Sequence, residues 1–389
     1  MAPRRTLAND SCCLARATAK SSGLQPLRRP SMEFKTAEAQ RDELLQRARR
    51  KGLPVRTGQR RAMAEPAWLH DAVVAGQKCR HAVAVAVEAC AEDTKGQTCY
   101  ICTEAFHWKT KEGLVRGCAC RGTAGFAHVS CLAEQAKILV AKADANNSDD
   151  TQWHRWDTCS LCKQKHHGVV RCALGWTCWK TYLGRPETDT ARGVVMSVLG
   201  NGLSGAKHHE DALAVQEADW ATMRRLGDPQ ENILIVQHNL ARTYRSLGRF
   251  EESVSMQREV YSGHVRLFGE EDRGTFLAGQ NYALSLLRAE CFEEAKSVLR
   301  KSIPVAQRAF GESDAVTLQL RRSYGRALYR ASAAKIDDLR EAVAMLEETA
   351  PTAQRVLGGA HPLVENIERH LRKARAALRA REEPSSGGP

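Results

Sequence analysis

The sequence predicts a mainly α-helical chain in which a small metal-stabilised module precedes an α-solenoid of stacked helix pairs. Three observations carry that prediction. Seven of the fourteen cysteines fall between Cys99 and Cys162, a Leu-Gly or Phe-Gly step recurs through the second half, and no apolar run is long enough for a membrane span. A span needs roughly 20 apolar residues, and the best candidate, Ala82 to Ala91, is short and contains Glu88. At 389 residues, with 43% hydrophobic and 26% charged residues, the composition is that of a globular chain of two or three domains.

The first element in order is a basic tail, residues 1–64. The net charge is +13, and residues 1–65 alone carry fifteen Lys/Arg against six Asp/Glu. Charge concentrated this way points to a solvated, mostly disordered arm and makes nucleic acid an unexpected partner for the folded part. Arg47 to Lys51 with Arg60-Arg61 also suits a nuclear address or a phosphate-binding strip, and the Arg-rich, acid-poor Met1 to Ser31 an organelle transit peptide. No secretory signal is visible, so the cysteines are expected in a reducing compartment, cytoplasmic or nuclear, with an organelle as the alternative. Residues 65–95 read as one Ala- and Val-rich helix, with Pro66 suited to its first turn. Residues 169–183, holding Trp176, Trp179 and Tyr182, read as an aromatic connector behind the cysteine module of residues 96–168.

From 184 to 382 the pattern repeats. Gly184, Gly227, Gly269, Gly311 and Gly358 are separated by 43, 42, 42 and 47 residues. Asn239-Leu240-Ala241 aligns with Asn281-Tyr282-Ala283 and then Ser323-Tyr324-Gly325. Each unit predicts two helices of about 15 to 18 residues, meeting at small residues such as Ala241, Ala283, Ala295, Gly325 and Ala342. The extra residues of the last unit fall near Ser332 to Asp338, a turn where insertion leaves both helices intact. His361 to Glu382 reads as a capping helix and 383–389 as a disordered tail. Gly200-Asn-Gly-Leu-Ser-Gly205 matches a dinucleotide-binding fingerprint, but that motif needs a preceding strand, and Gly205 aligns with Gly248 at a turn between helices.

The cysteine module contains four pairs: Cys99/Cys102, Cys118/Cys120, His128/Cys131 and Cys159/Cys162. Eight ligands suit two tetrahedral zinc ions in closed, structural sites. Cys172 and Cys178 flank Trp176 as a third metal pair would, but lack two further ligands and read as buried; Cys12, Cys13, Cys79, Cys90 and Cys291 read as small apolar fillers or exposed thiols, and His166 and His167 as surface residues.

The order Cys-x-x-Cys, Cys-x-Cys, His-x-x-Cys, Cys-x-x-Cys resembles the RING-CH, or RING-variant, zinc finger; a PHD finger is the alternative, but this chain has Asp157 where that family has Trp. The Asn-Leu-Ala-x-x-Tyr-x-x-x-Gly run at 239–248, followed by Gly-Arg-Phe-Glu-Glu, resembles tetratricopeptide repeats of the kinesin-light-chain variety. HEAT or armadillo repeats have a similar period. The first resemblance implies interleaved ligands, Cys99, Cys102, His128 and Cys131 on one ion and Cys118, Cys120, Cys159 and Cys162 on the other. It also implies a ubiquitin-protein ligase, with Ile101 and Leu161 docking a ubiquitin-conjugating enzyme and Lys163 beside ubiquitin. Two departures stand out: a long loop between Cys131 and Cys159, and Gln135 where the family commonly has Trp, a gap that Trp153 or Trp156 could fill. The repeats would recruit a protein or peptide substrate, with Asn239, Asn281, Arg242 and Arg326 on their inner wall. The alternative function is a non-enzymatic adaptor or PHD-like interaction scaffold.

Overall fold

The computed structural model describes residues 69, 71–146, 152–331, 333–359 and 361–382. The basic tail with its candidate addresses, Cys12, Cys13, Pro66, Ser332 and the last seven residues lie outside the described residues. Among those described there are twelve α-helices and only isolated β-bridges.

Helix α1 (Ala72–Ala89) starts where the Asp71 side chain accepts hydrogen bonds from Val73 N–H and Val74 N–H, filling orphan donors of the first turn. A cysteine-rich excursion of residues 90–167 follows, containing α2 (Val129–Ala145) and the short 3-10 turn Gln152–Trp156. Residues 169–183, expected as a connector, belong instead to a regular helix, α3 (Gly168–Tyr182), with Trp176 and Trp179 buried. Helices α1 and α3 are antiparallel neighbours. Trp179 Nε1 donates to Leu69 O at 3.0 Å, Cys79 Sγ meets Thr177 Oγ1 at 3.6 Å, and Val87 at the far end of α1 abuts Gly113 of the excursion.

The solenoid continues as α4 (Thr190–Gly205) with α5 (His209–Leu226), α6 (Gln230–Ser246) with α7 (Phe250–Phe268), α8 (Arg273–Arg288) with α9 (Phe292–Phe310), and α10 (Ala315–Arg330) with α11 (Ile336–Leu357). Helix α12 (Pro362–Glu382) closes it. First helices run 16–17 residues; second helices run 18–22, longer than the spacing suggested. The chemistry of the two kinds differs consistently. Asp189, Asp272 and Asp314 cap first helices as Asp71 caps α1. Second helices carry paired acidic residues in their first turn, favourable at the positive end of the helix dipole, and finish at a glycine with positive φ: Gly227, Gly269, Gly311 and Gly358. Gly184, just after α3, has the same geometry at φ +87°. By cap and by terminator, then, α1 and α3 are a helix pair like the others, with the cysteine module inserted between its two members.

The expected close contacts are present: Ala241, Ala283, Ala295 and Ala342 are fully buried, and a Cβ on Gly325 would lie 2.8 Å from Leu346. The register at the first turn differs from expectation. Gly205 is the last residue of α4, and the left-handed position matching Gly248 (φ +74°) is Lys207 (φ +69°), followed in the next unit by Glu290 (φ +59°). The glycines of the fingerprint-like run serve helix packing. A Cβ on Gly202 would come within 2.8 Å of the Arg171 carbonyl oxygen, and one on Gly175 within 3.2 Å of the Leu199 backbone. Glycine therefore lets α3 and α4 cross backbone to backbone, joining the inserted module's base to the repeats. One hydrophobic core runs through both, from Leu69 and Cys99 through Trp156 and Trp179 to Ala218.

Candidate functional site

The insertion is held at both ends by the pair it interrupts. Cys90 Sγ–H points to Arg116 O at 3.9 Å, and His167 N–H donates to Gly117 O at 2.7 Å. Arg116 pairs with Asp93 in the turn after α1 and stacks 4.3 Å over Phe126.

Cys99 and Cys102 lie on a tight knuckle. Cys99 N–H donates to Glu104 O at 3.0 Å, Thr103 N–H to Cys99 O at 2.8 Å, and Ile101 N–H to Cys99 Sγ at 3.4 Å. Residues 159–164 repeat the backbone pattern: Cys159 N–H to Gln164 O at 2.9 Å and Lys163 N–H to Cys159 O at 3.0 Å. Thr103 and Lys163 take the left-handed position that closes each loop, at φ +64° and +60°. Ile101 and Leu161 thus occupy equivalent places, Ile101 half-buried against the core and Leu161 48% exposed. The Lys163 ammonium folds back to Ser160 O at 2.6 Å.

His128 and Cys131 sit three residues apart at the start of α2, where Glu112 accepts from Ser130 N–H at 2.6 Å. His128 Nδ1 lies 3.4 Å from Cys102 Sγ and 3.6 Å from Cys131 Sγ, while its Nε2 faces Ala105 O at 3.3 Å. That outer contact fixes which nitrogen faces the sulfurs. In the second site Cys120 Sγ is 3.8 Å from Cys159 Sγ. A tetrahedral zinc with Zn–S bonds of about 2.3 Å requires sulfur separations of about 3.8 Å. The donors fall into two sets, Cys99/Cys102/His128/Cys131 and Cys118/Cys120/Cys159/Cys162, with all four ligand atoms of each within 4.8 Å of one another. Hydrogen bonding from Cys118 pulls the Cys159 thiol down to about 4, and the same contact drives Cys118 upward. The two sets are closed zinc sites, structural in kind. Cys79, Cys90, Cys172, Cys178 and Cys291 belong to neither, and burial raises the thiols of Cys172 and Cys178.

Further contacts complete the module. Residues 107–112 form a third knuckle, one that holds no cysteine: His107 N–H donates to Glu112 O at 3.0 Å, Lys111 N–H to His107 O at 2.9 Å, and Lys111 has φ +59°. There the His107 Nδ1, accepting from Thr110 N–H at 3.1 Å, stands in for a ligand sulfur, and its ring meets His128 edge-on at 5.4 Å. Phe106 and Trp108 project from this loop, 65% and 70% exposed. His166, expected at the surface, is buried, and burial lowers its pKa. Gln135 accepts from Ser160 Oγ–H at 2.6 Å, tying α2 to the last knuckle. Trp153 and Trp156 both pack on Tyr182, and Trp156 is wholly buried. Asp157 is largely buried; against that burial, Lys165 at 3.2 Å and Arg171 at 2.9 Å hold its carboxyl below the usual range.

On the repeats, the first helices of successive pairs lie closer together than the second ones and so form the inner wall. Asn239 is half-buried on α6, and the Asn281 amide is spent on Leu277 O of its own helix at 2.8 Å. Arg242 and Arg326 fall among further basic groups. Burial together with Arg242, Arg288 and Arg326 pushes Arg245 down to about 10. Burial together with Arg330 and Arg288 does the same to Arg326. His238 is held down to about 3 by burial and the Arg242 and Arg245 charges, and His370 to about 4 by burial and Arg322, Arg326 and Arg369.

The module thus holds two interleaved four-donor zinc sites and is set into a stack of helix pairs. Residues 99–162 match the RING-variant domain family, and residues 234–273 match the tetratricopeptide-repeat family. No curated protein matches the chain. Solved structures similar to it include a putative kinesin light chain of Podosopora anserina with nearly identical TPR-like repeats, at 16% identity over 59% of this chain and 97% of that one, TM-score 0.43. A single-substitution form of the same protein gives 17% identity over 59% and 98%, TM-score 0.42. BtubC (BKLC) of P. vanneervenii gives 15% over 67% and 94%, TM-score 0.40. Among the described residues no helix is long and apolar enough to cross a membrane.

Proposed function

We propose that the chain is a zinc-dependent ubiquitin-protein ligase that docks a ubiquitin-conjugating enzyme on its finger and recruits a protein substrate on its repeats. The observation carrying this reading is the match of residues 99–162 to the RING-variant family, with all eight ligands converging in the interleaved order. Leu161 supports it: a large apolar side chain left 48% exposed on a zinc knuckle suits a docking contact. Such a finger contributes positioning, holding the charged conjugating enzyme in a reactive pose with no covalent intermediate of its own.

Purified full-length protein with ubiquitin, activating enzyme and a panel of conjugating enzymes is expected to form ubiquitin chains. Ile101→Ala or Leu161→Ala should lower chain formation at least tenfold with two zinc ions retained. Absence of chains across the panel would refute the reading. Gln135 favours a second one, a non-enzymatic adaptor, because its hydrogen bond to Ser160 occupies the place where the family commonly has Trp. Peptide binding by the repeats with no contact to any conjugating enzyme is the outcome that adaptor predicts.

A further inference from the structure

The inner wall of the repeats carries arginines on four successive first helices: Arg242 and Arg245 on α6, Arg288 on α8, Arg322, Arg326 and Arg330 on α10, and Arg369 with Lys373 on α12. Among the described residues Arg245, Arg288, Arg326 and Arg330 have no carboxylate partner, and Arg245 Nη1 is buried without a hydrogen-bond partner. The charges acting on Arg245 are other guanidinium groups. Between the helices the same units pair arginine routinely. Arg258 bonds both Tyr282 and Glu294, Arg300 bonds Tyr324, whose hydroxyl donates to Glu341, and Arg321 pairs with Glu348. On α10, then, one face supplies a paired arginine, Arg321, and another carries Arg326 and Arg330, which have no carboxylate partner among the described residues. Like charges crowded together raise the energy of the folded state. A ligand bringing concentrated negative charge would reverse that cost.

We propose that this wall binds a multiply phosphorylated peptide segment, so that recruitment depends on the phosphorylation state of the partner. Two features favour phosphate over carboxylate. The row is almost wholly arginine, whose planar fork pairs two phosphate oxygens at once, and a phosphate brings up to two charges and three acceptor oxygens per residue where a carboxylate brings one charge. Spacing sets the pattern. Packed helices lie about 8–10 Å apart and an extended peptide advances roughly 3.3–3.6 Å per residue, so a phosphate at every third residue offers about one charge per helix step. The proposal rests on the recruitment part of the reading above, but capture itself requires no ubiquitin transfer.

The test uses full-length zinc-loaded protein and fluorescent 12-residue probes with phosphoserine, glutamate or serine at every third position, beside an oligouridine of equal length. The phosphorylated probe is expected to bind at least tenfold tighter than the glutamate probe and to weaken steeply with salt. Arg245→Gln with Arg326→Gln should cost at least tenfold in that affinity while zinc content holds and the melting temperature stays level or rises, since two mutually repelled charges are gone. Equal affinity for the glutamate probe, tighter binding of oligouridine, or unchanged binding by the double variant would each overturn the proposal. Chain formation measured on the same double variant separates this failure from failure of the ligase reading, because the finger is untouched.

Discussion

The finger and the repeats reach order by opposite routes. Among the described residues between Cys90 and His167 there are one long helix, three knuckles and two four-donor sites, so distant loops are joined through metal. From α6 onward each helix instead buries an apolar stripe against its neighbours, and small residues set the separation. A metal site is all or none, whereas a solenoid's stability is a sum of neighbouring contacts. Each half is therefore vulnerable in its own way: the finger to loss of a single donor, the repeats to distributed changes.

Chelation should have the largest effect. Each structural zinc is worth about 10–16 kcal/mol of apparent binding, so stripping both should abolish hydrogen-exchange protection across residues 90–167 and loosen α1 and α3, which share their core. Helices α6 to α12 should keep their protection; their simultaneous collapse would show that the two halves are not separate in stability. Gly125→Ala is the next largest effect. Gly125 has φ +86°, and a Cβ there would lie 2.6 Å from Cys120 Cβ and 3.2 Å from Cys118 Sγ. Backbone strain and overpacking together cost roughly 3 kcal/mol or more, and elemental analysis should count one zinc per chain in place of two.

Gly202→Val probes the joint. The obstacle is the Arg171 carbonyl, which is backbone and cannot swing aside, so a loss of about 1–3 kcal/mol is expected, read as a lower melting temperature with both zincs retained. The smallest effect is a pH slope in the repeats. His238 and His370 have folded pKa values of about 3 and about 4, below the ordinary 6.5. The unfolded chain therefore binds protons that the folded chain refuses as pH falls below 6.5, and stability is lost toward pH 4, on the order of 1 kcal/mol per histidine per pH unit. Exchange protection of α6 to α12, compared at pH 7 and pH 5, should flatten in a His238→Gln, His370→Gln variant; an unchanged slope would assign it to other groups.

How much of this was legible follows from range. The eight ligands stand out because metal pairs are two or three residues apart in sequence, and the glycine ladder because each glycine answers a local demand for positive φ. The longer turn after α10 was visible for the same reason. Features set by distant neighbours were not. Nothing near Gly202 announces that Arg171 will lie against it, and Lys207 hides the left-handed position that Gly248 advertises. His107 and Thr110 imitate a ligand pair without a sulfur, so a search for cysteine passes over them. Arg242 and Arg326 could be placed on helix faces from the repeat register, whereas Arg245 and Arg288 meet them only once the stack sets one helix beside the next.

A domain hung from one linker can swing; the finger is spliced in at both ends, between α1 and α3, and wedged onto α4 through Gly175 and Gly202. Its bearing relative to the wall of arginines is thus part of the fold. Whatever the wall carries would be offered to Leu161 and the knuckles at a set span and angle, as work in a jig is offered to a tool, and reach would then be decided by the cargo's own shape.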